Sequence, residues 1–305
     1  MSWQLKADHK EHQWKAQQSH EYYTEVTTRC KEAWATINEL EQKEELSDEE
    51  RETLSGLKNR FTYCHNLCRL PNGKIGYWGL SAQPGSRYYL QKVNHDVFGM
   101  VNHCSGESMV YLFDEHAGLK NTDHTISYLT DYISKLPGWI QCVHLFVDNT
   151  CSTNKNYYLM SWPLKWCIKG SYSFFRISFL LAGHTKFSPD LLFTKIAVIQ
   201  SKWCFHTNEL KDIISDYAEV IVDDGTLVCD WREILSEKYS KIPGIWQLHD
   251  FIFVKHPTTL CVVARVQELC YTGSFREFTS HVLSRKDDYM PFWSRYAELC
   301  LLKEN

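Results

Sequence analysis

The chain has 305 residues, enough for one large domain or two ordinary ones with a real core. A hydrophobic fraction of 44% and a charged fraction of 23% are those of a soluble globular protein. A formal net charge of -4 excludes a strong whole-chain field for nucleic acid, so any such site must come from local clusters.

The amino terminus, MSWQLKADHKEH, lacks the apolar core of a signal peptide. No stretch approaches the ~20 apolar residues of a membrane span, and FFRISFLLAG is shorter and carries Arg176. None of the twelve cysteines forms a C-x2-C pair; the nearest approach is Cys64 and Cys68 with His65 between them. Reduced, partly buried thiols are expected, together with an intracellular location, nuclear or cytoplasmic, and no membrane partner.

Residues 1–58 carry 13 acidic and 8 basic residues and no proline. Val26, Cys30, Ala33, Ile37 and Leu40 recur at helical spacing, and Ser47 with Glu50 makes a capping box for a second helix. The expectation is a helical hairpin lying on the main domain through that stripe. It contains no recognisable zinc finger or helix-turn-helix.

From residue 59 the period changes. NRFTYCHNLC, a stretch around 85–103 and ESMVYLFDE read as strands, and DHTISYLTDYISKL as a helix stopped by Pro137-Gly138. Strand 141–147, a helix from about 153 to 168, strand 174–182 and a helix from about 188 to 201 follow. The order β-β-β-α-β-α-β-α predicts an α/β fold with a mixed five-stranded sheet and helices on its faces. Residues 205–305 read as a small α+β extension: ELKDIISDYAEV, DWREILSEKY and FREFTSHVL as helices, HDFIFVKH and TLCVVARV as strands. The predicted domains are therefore 1–58, 59–204 and 205–305.

Two carboxylates and a histidine stand at the carboxyl ends of two strands that the βαβ rule makes parallel. Asp148 ends the first strand. His184 ends the second, and Asp190 lies in the first turn of the helix that Ser188 and Pro189 open. Oxygen and imidazole ligands in that geometry suit one or two divalent cations. Taken alone, Asp190 is better read as a carboxylate meeting a helix dipole. Lys155, Lys186 and Lys195 are candidate phosphate contacts, each weighed against a solvated face.

VDNTCSTNKN and LLAGHTKFSPDLLF, with FDEHAG before the first core helix, resemble a family of uncharacterised domains from animal transposon-derived proteins. The resemblance implies a ribonuclease-H-like (integrase/transposase-like) core. The resemblance implies catalytic and metal-binding roles for Asp148 and Asp190, with His184 nearby and Glu115 near a further acid. It also places Asn154, Lys155, Asn156 and Lys186 in blocks where nucleic acid would be contacted.

The first strand departs from the family. Where an Asp is usual, TYCHNLCRLP offers Tyr63, and residues 53 to 95 contain no Asp or Glu at all. A tyrosine hydroxyl with pKa ~10 cannot replace that charge. The expectation is a vestigial site: Mg2+ or Mn2+ would be its only cofactors, with weak or lost binding. What remains is a binding role toward DNA, a protein partner or a second copy. The alternative is an active divalent-metal-dependent DNA nuclease or transposase completed by Cys64 or His65.

Overall fold

The structure, a computed structural model, describes residues 3–69, 95–118, 121–149, 154–181, 192–196, 207–239, 241–255, 262–269 and 274–279. Of 3–9, 62–69, 255 and 279 it describes the backbone alone. Helix α1 (Trp3–Glu41) and helix α2 (Asp48–Arg60) make the expected hairpin. The capping box forms: the Glu50 amide donates to Ser47 Oγ at 3.2 Å, and the Ser47 amide donates to Glu50 Oε2 at 2.9 Å. Two helix-end donors are thereby satisfied, and α2 starts where the sequence says it must.

The buried face of α1 runs Ala16, Ser19, Tyr23, Cys30, Ile37 and Leu40, with Val26 and Ala33 half-buried between them. These alternate by three and four residues, so a single seam faces inward along most of the helix. Tyr23 meets Phe146 edge-on at 5.0 Å, and Trp34 stacks on Trp139 at 6.0 Å. The hairpin thus packs in cis, as its stripe predicts.

The strands are β1 (Thr62–Arg69), β2 (His95–Asn102), β3 (Ser108–Asp114), β4 (Cys142–Val147) and β5 (Phe174–Phe179). They are joined by β6 (Glu219–Asp223), β7 (Asp250–Lys255), β8 (Val262–Gln267) and β9 (Arg276–Thr279). These nine strands of the described residues lie in one mixed sheet of order β6-β3-β2-β1-β4-β5-β7-β8-β9. The mixed α/β class is as expected, but the expected sheet had five strands, with the later strands in a separate extension, whereas among the described residues nine share one sheet. The strands after residue 204 extend the same sheet at both edges. FREFTSHVL, read as a helix, contains β9, which pairs antiparallel with β8.

Helix α3 (Thr122–Ser134) and helix α4 (Tyr157–Lys169) cover one face. Ile126, Leu129 and Ile133 are buried on α3, as their spacing requires. Trp162 of α4 packs edge-on against Phe175 at 5.3 Å. Helix α5 (192–196) and helix α6 (Thr207–Ser215) close the opposite face over β2 and β3, where Phe193, Ile196, Leu210 and Ile214 meet Val97, Val101, Val110 and Leu112. Gly99 on β2 leaves the room Phe193 needs: a Cβ there would lie 2.8 Å from its ring. Helix α7 (Trp231–Lys238) packs with α3 and α4, and Asp123 accepts from the Arg232 amide at 2.9 Å and from its Nε at 2.7 Å. Helices on both faces explain why the central strands read as near-continuous apolar runs. Among the described residues no helix is long and apolar enough to cross a membrane.

Candidate functional site

Strand β4 is buried from Val143 to Val147 and leaves the sheet at Asp148, which is half-buried. Parallel pairing of β4 with both β1 and β5 puts this exit at the carboxyl edge of the central strands. Asn154 Nδ2 donates to the Asp148 carbonyl at 3.3 Å and draws the following loop back over the strand end. Asn156 caps α4, its side chain accepting from the Leu159 amide at 3.0 Å while Nδ2 donates to Thr122 Oγ1 at 3.1 Å. That second bond ties the start of α4 to the start of α3.

Lys155 is 1% exposed. Its Nζ donates to the Trp246 carbonyl at 3.0 Å and lies 5.5 Å from the centre of the Phe179 ring. A buried ammonium is costly unless its protons are received by acceptors, which is what this carbonyl supplies. Lys155 and Asn154 therefore face protein, not a nucleic-acid phosphate, and Asn156 spends its side chain on two helix starts. The D-N-x4-N-K-N block, expected to touch nucleic acid, clamps three loops together at the sheet edge.

Beside Asp148, Asn149 Nδ2 lies 3.3 Å from His249 Nε2, and His249 Nδ1 lies 2.8 Å from the Glu268 carbonyl. A carbonyl only accepts, so Nδ1 carries the proton and Nε2 accepts from the asparagine. Burial, and after it the charge of Lys155, lower the His249 pKa and favour this neutral ring. Asn149 Oδ1 is buried and has no hydrogen-bond partner among the described residues.

The other expected site residues are less closely gathered. Glu115 is exposed in a 3-10 turn that Asp114 caps after β3. It stands at the same sheet edge as Asp148, but β2 and β1 intervene. Three strand spacings amount to about 14 Å, too far for one carboxylate pair to share an ion. His184, Lys186 and Asp190 lie outside the described residues. Lys195, on α5, sits 5.7 Å from the Tyr217 ring.

Register also relocates the missing first-strand acid. Tyr63 pairs with Val143 and Leu67 with Val147, so the next position, Cys68, is level with Asp148. Tyr63 lies five positions short of it, about 16 Å along the strand. Cys64 and His65 pair with His144 and Leu145. None of these is a carboxylate, and Mg2+ prefers oxygen ligands, so the described donor set does not fit a two-ion site. Among the described residues no three His, Cys, Asp or Glu side chains could hold a metal together.

A buried polar chain that sequence reasoning missed runs under α1. His144 Nε2 lies 2.8 Å from Ser178 Oγ, which donates to Asp250 Oδ1 at 2.7 Å. Arg176 clasps the same carboxylate through Nε at 2.9 Å and Nη2 at 2.7 Å. Ser178 and Asp250 are fully buried. Because the hydroxyl donates to Asp250, it accepts from His144. A hydrolytic triad needs the histidine between serine and carboxylate, so this order makes no nucleophile. Burial above all drives the His144 pKa well below its ordinary value and keeps the ring neutral. The signal that could have found the pair is an Arg in one apolar strand and an Asp opening another.

Burial pushes the Cys167 thiol up to about 12. Such a thiol is inert at neutral pH.

Over residues 86–270, more than half its length, the chain matches the family described as Domain of unknown function (DUF7869), and it belongs to that family. No curated protein and no solved structure matches it.

Proposed function

We propose that this member of the DUF7869 family is a transposase-derived protein with a ribonuclease-H-like core whose metal-dependent nuclease site has decayed. Its remaining role is to bind DNA, a protein partner or itself. The fold reading is supported by the central order β3-β2-β1-β4-β5, in which β2 alone runs antiparallel to the other four. The chain order β-β-β-α-β-α-β-α, which the resemblance of the D-N-x4-N-K-N and G-H-T-x-F-x-P-D blocks implies, runs from β1 to α5 and supports it too. In open α/β sheets, ligands collect outside the carboxyl ends of the strands, where Asp148 stands.

One observation carries the functional half: residues 53 to 95 hold no Asp or Glu, so β1 has no carboxylate to place beside Asp148. Cys68 occupies the level position. Without that bridging charge, two like-charged ions are not held at the ~3.5–4 Å separation that phosphoryl transfer uses. Completion by Cys64 or His65 is disfavoured, since both lie three or more positions short of Asp148.

The test is Mn2+ titration by calorimetry, alongside nicking of supercoiled DNA, for the wild type, Cys68→Asp, Tyr63→Asp and Asp148→Ala. The wild type should bind Mn2+ weakly and nick nothing. Cys68→Asp should tighten Mn2+ at least about tenfold, and Tyr63→Asp should not, because only the former adds a charged oxygen level with Asp148. Robust Mg2+-dependent nicking by the wild type, lost in Asp148→Ala, would overturn the proposal in favour of a working nuclease.

A further inference from the structure

A pocket of about 360 Å3 opens between the helical hairpin and the sheet, at the far end of β4 and β5 from Asp148. Phe174, at its margin, pairs with Cys142, six positions before Asp148 and so about 20 Å from it along the strand. Arg29 of α1, Arg60 of α2 and Arg176 of β5 line it, with Tyr22, Phe61 and Phe174 among its apolar walls. No Asp or Glu is among the described residues that line it.

The charges do not cancel. Arg176 is neutralised by Asp250, and its guanidinium lies 5.0 Å from the centre of the Tyr22 ring. Arg29 meets Glu25 at 3.4 Å, with the two side chains 76% and 66% exposed. A pair that exposed is weak and is readily exchanged for a better anion. Arg60 makes no ion pair among the described residues. The mouth therefore carries one guanidinium without an acidic partner among the described residues and one held only by an exposed, exchangeable pair, on a protein whose net charge is -4.

We infer that this pocket binds a nucleoside monophosphate moiety, with the phosphate between Arg29 and Arg60 and the base against the aromatic wall. Guanidinium forks match phosphate oxygens bidentately, and two of them balance a dianion better than a single carboxylate. Flat aromatic walls receive a base without selecting its hydrogen-bonding edge. The volume falls within the range of small-ligand sites. A free mononucleotide and the 5′-terminal nucleotide of a single strand present this same chemistry. The site is independent of the nuclease reading, since it uses none of the residues at the Asp148 edge.

Calorimetry on the full chain tests it, with AMP, adenosine, and a single-stranded oligothymidylate with and without a 5′-phosphate. AMP should bind, and adenosine should bind at least about tenfold more weakly, because one charge-assisted contact is worth that much. Arg29→Gln/Arg60→Gln should weaken AMP by at least about tenfold at an unchanged melting temperature, both residues being exposed. Tighter binding of the phosphorylated strand than of AMP assigns the site to strand ends; the reverse order assigns it to free nucleotide. Absence of AMP binding at millimolar concentration would overturn the inference. So would equal affinity for adenosine, or full affinity in the folded double variant.

Discussion

Replacing Asp250 by Asn should destabilise the protein by about 3–5 kcal/mol, the cost of removing one partner of a buried ion pair. Asp250 is fully buried and receives three hydrogen bonds, two from Arg176 and one from Ser178. The Arg176 side chain is 16% exposed, so water can replace little of what the carboxylate supplies. The Asn side chain has nearly the same shape and keeps one acceptor, so packing is not the variable. For a chain of this size, the loss corresponds to a fall in melting temperature of about 5–8 °C. Urea denaturation followed by circular dichroism reads the free energy, and Arg176→Met with the double variant completes a thermodynamic cycle. The double variant should recover much of the loss, because it leaves no buried charge uncompensated. A cost below about 1 kcal/mol for Asp250→Asn, or a double variant no better than the single, would refute the account of this network.

Acidification should destabilise the protein through His103, which is half-buried. Burial, with Lys31 nearby, holds His103 at about 4 against an ordinary 6.5, so the unfolded ring takes up its proton first. Its contribution is complete above about pH 6.5 and drains away between pH 6.5 and 4, on the order of 3 kcal/mol, and thermal melts of His103→Gln across that range should flatten. Gly99→Ala should cost about 1–3 kcal/mol by forcing its Cβ into the Phe193 ring, read by urea denaturation. Lys155→Ala should cost about 2–4 kcal/mol in the same assay, as for any long side chain removed from a packed interior. A solvated lysine would change stability by less than about 0.5 kcal/mol.

Where a local signal and a tertiary one agreed, the sequence was legible. The Ser47 capping box, the α1 stripe and the Ile126–Leu129–Ile133 face each name their own partners, and all three form. Asp148 as a strand end was readable because the apolar run stops there. Strand β6 was not, because ELKDIISDYAEV looks like one amphipathic helix. The helix ends at Ser215, the Tyr217 and Ala218 amides turn back to the Ile214 carbonyl, and the chain then pairs with β3. The β-branched run Val220-Ile221-Val222 was the signal that separates the two. Lys155 misled for a different reason. A charged residue at a helix entry is solvated by default, and only the distant Trp246 carbonyl and Phe179 ring make a buried place for it.

The sheet order has a consequence for synthesis. After β5 the chain crosses to the far edge to lay β6 beside β3, then returns to lay β7 beside β5. A nascent chain that has emerged only as far as β5 presents two bare edges at once, β3 on one side and β5 on the other. Each is a row of unpaired amides and carbonyls able to recruit a neighbouring chain. The ribosome must deliver about seventy-five further residues, to the end of β7 at Lys255, before both are covered. Chains stalled in that interval are the ones a cell would have to shield from one another.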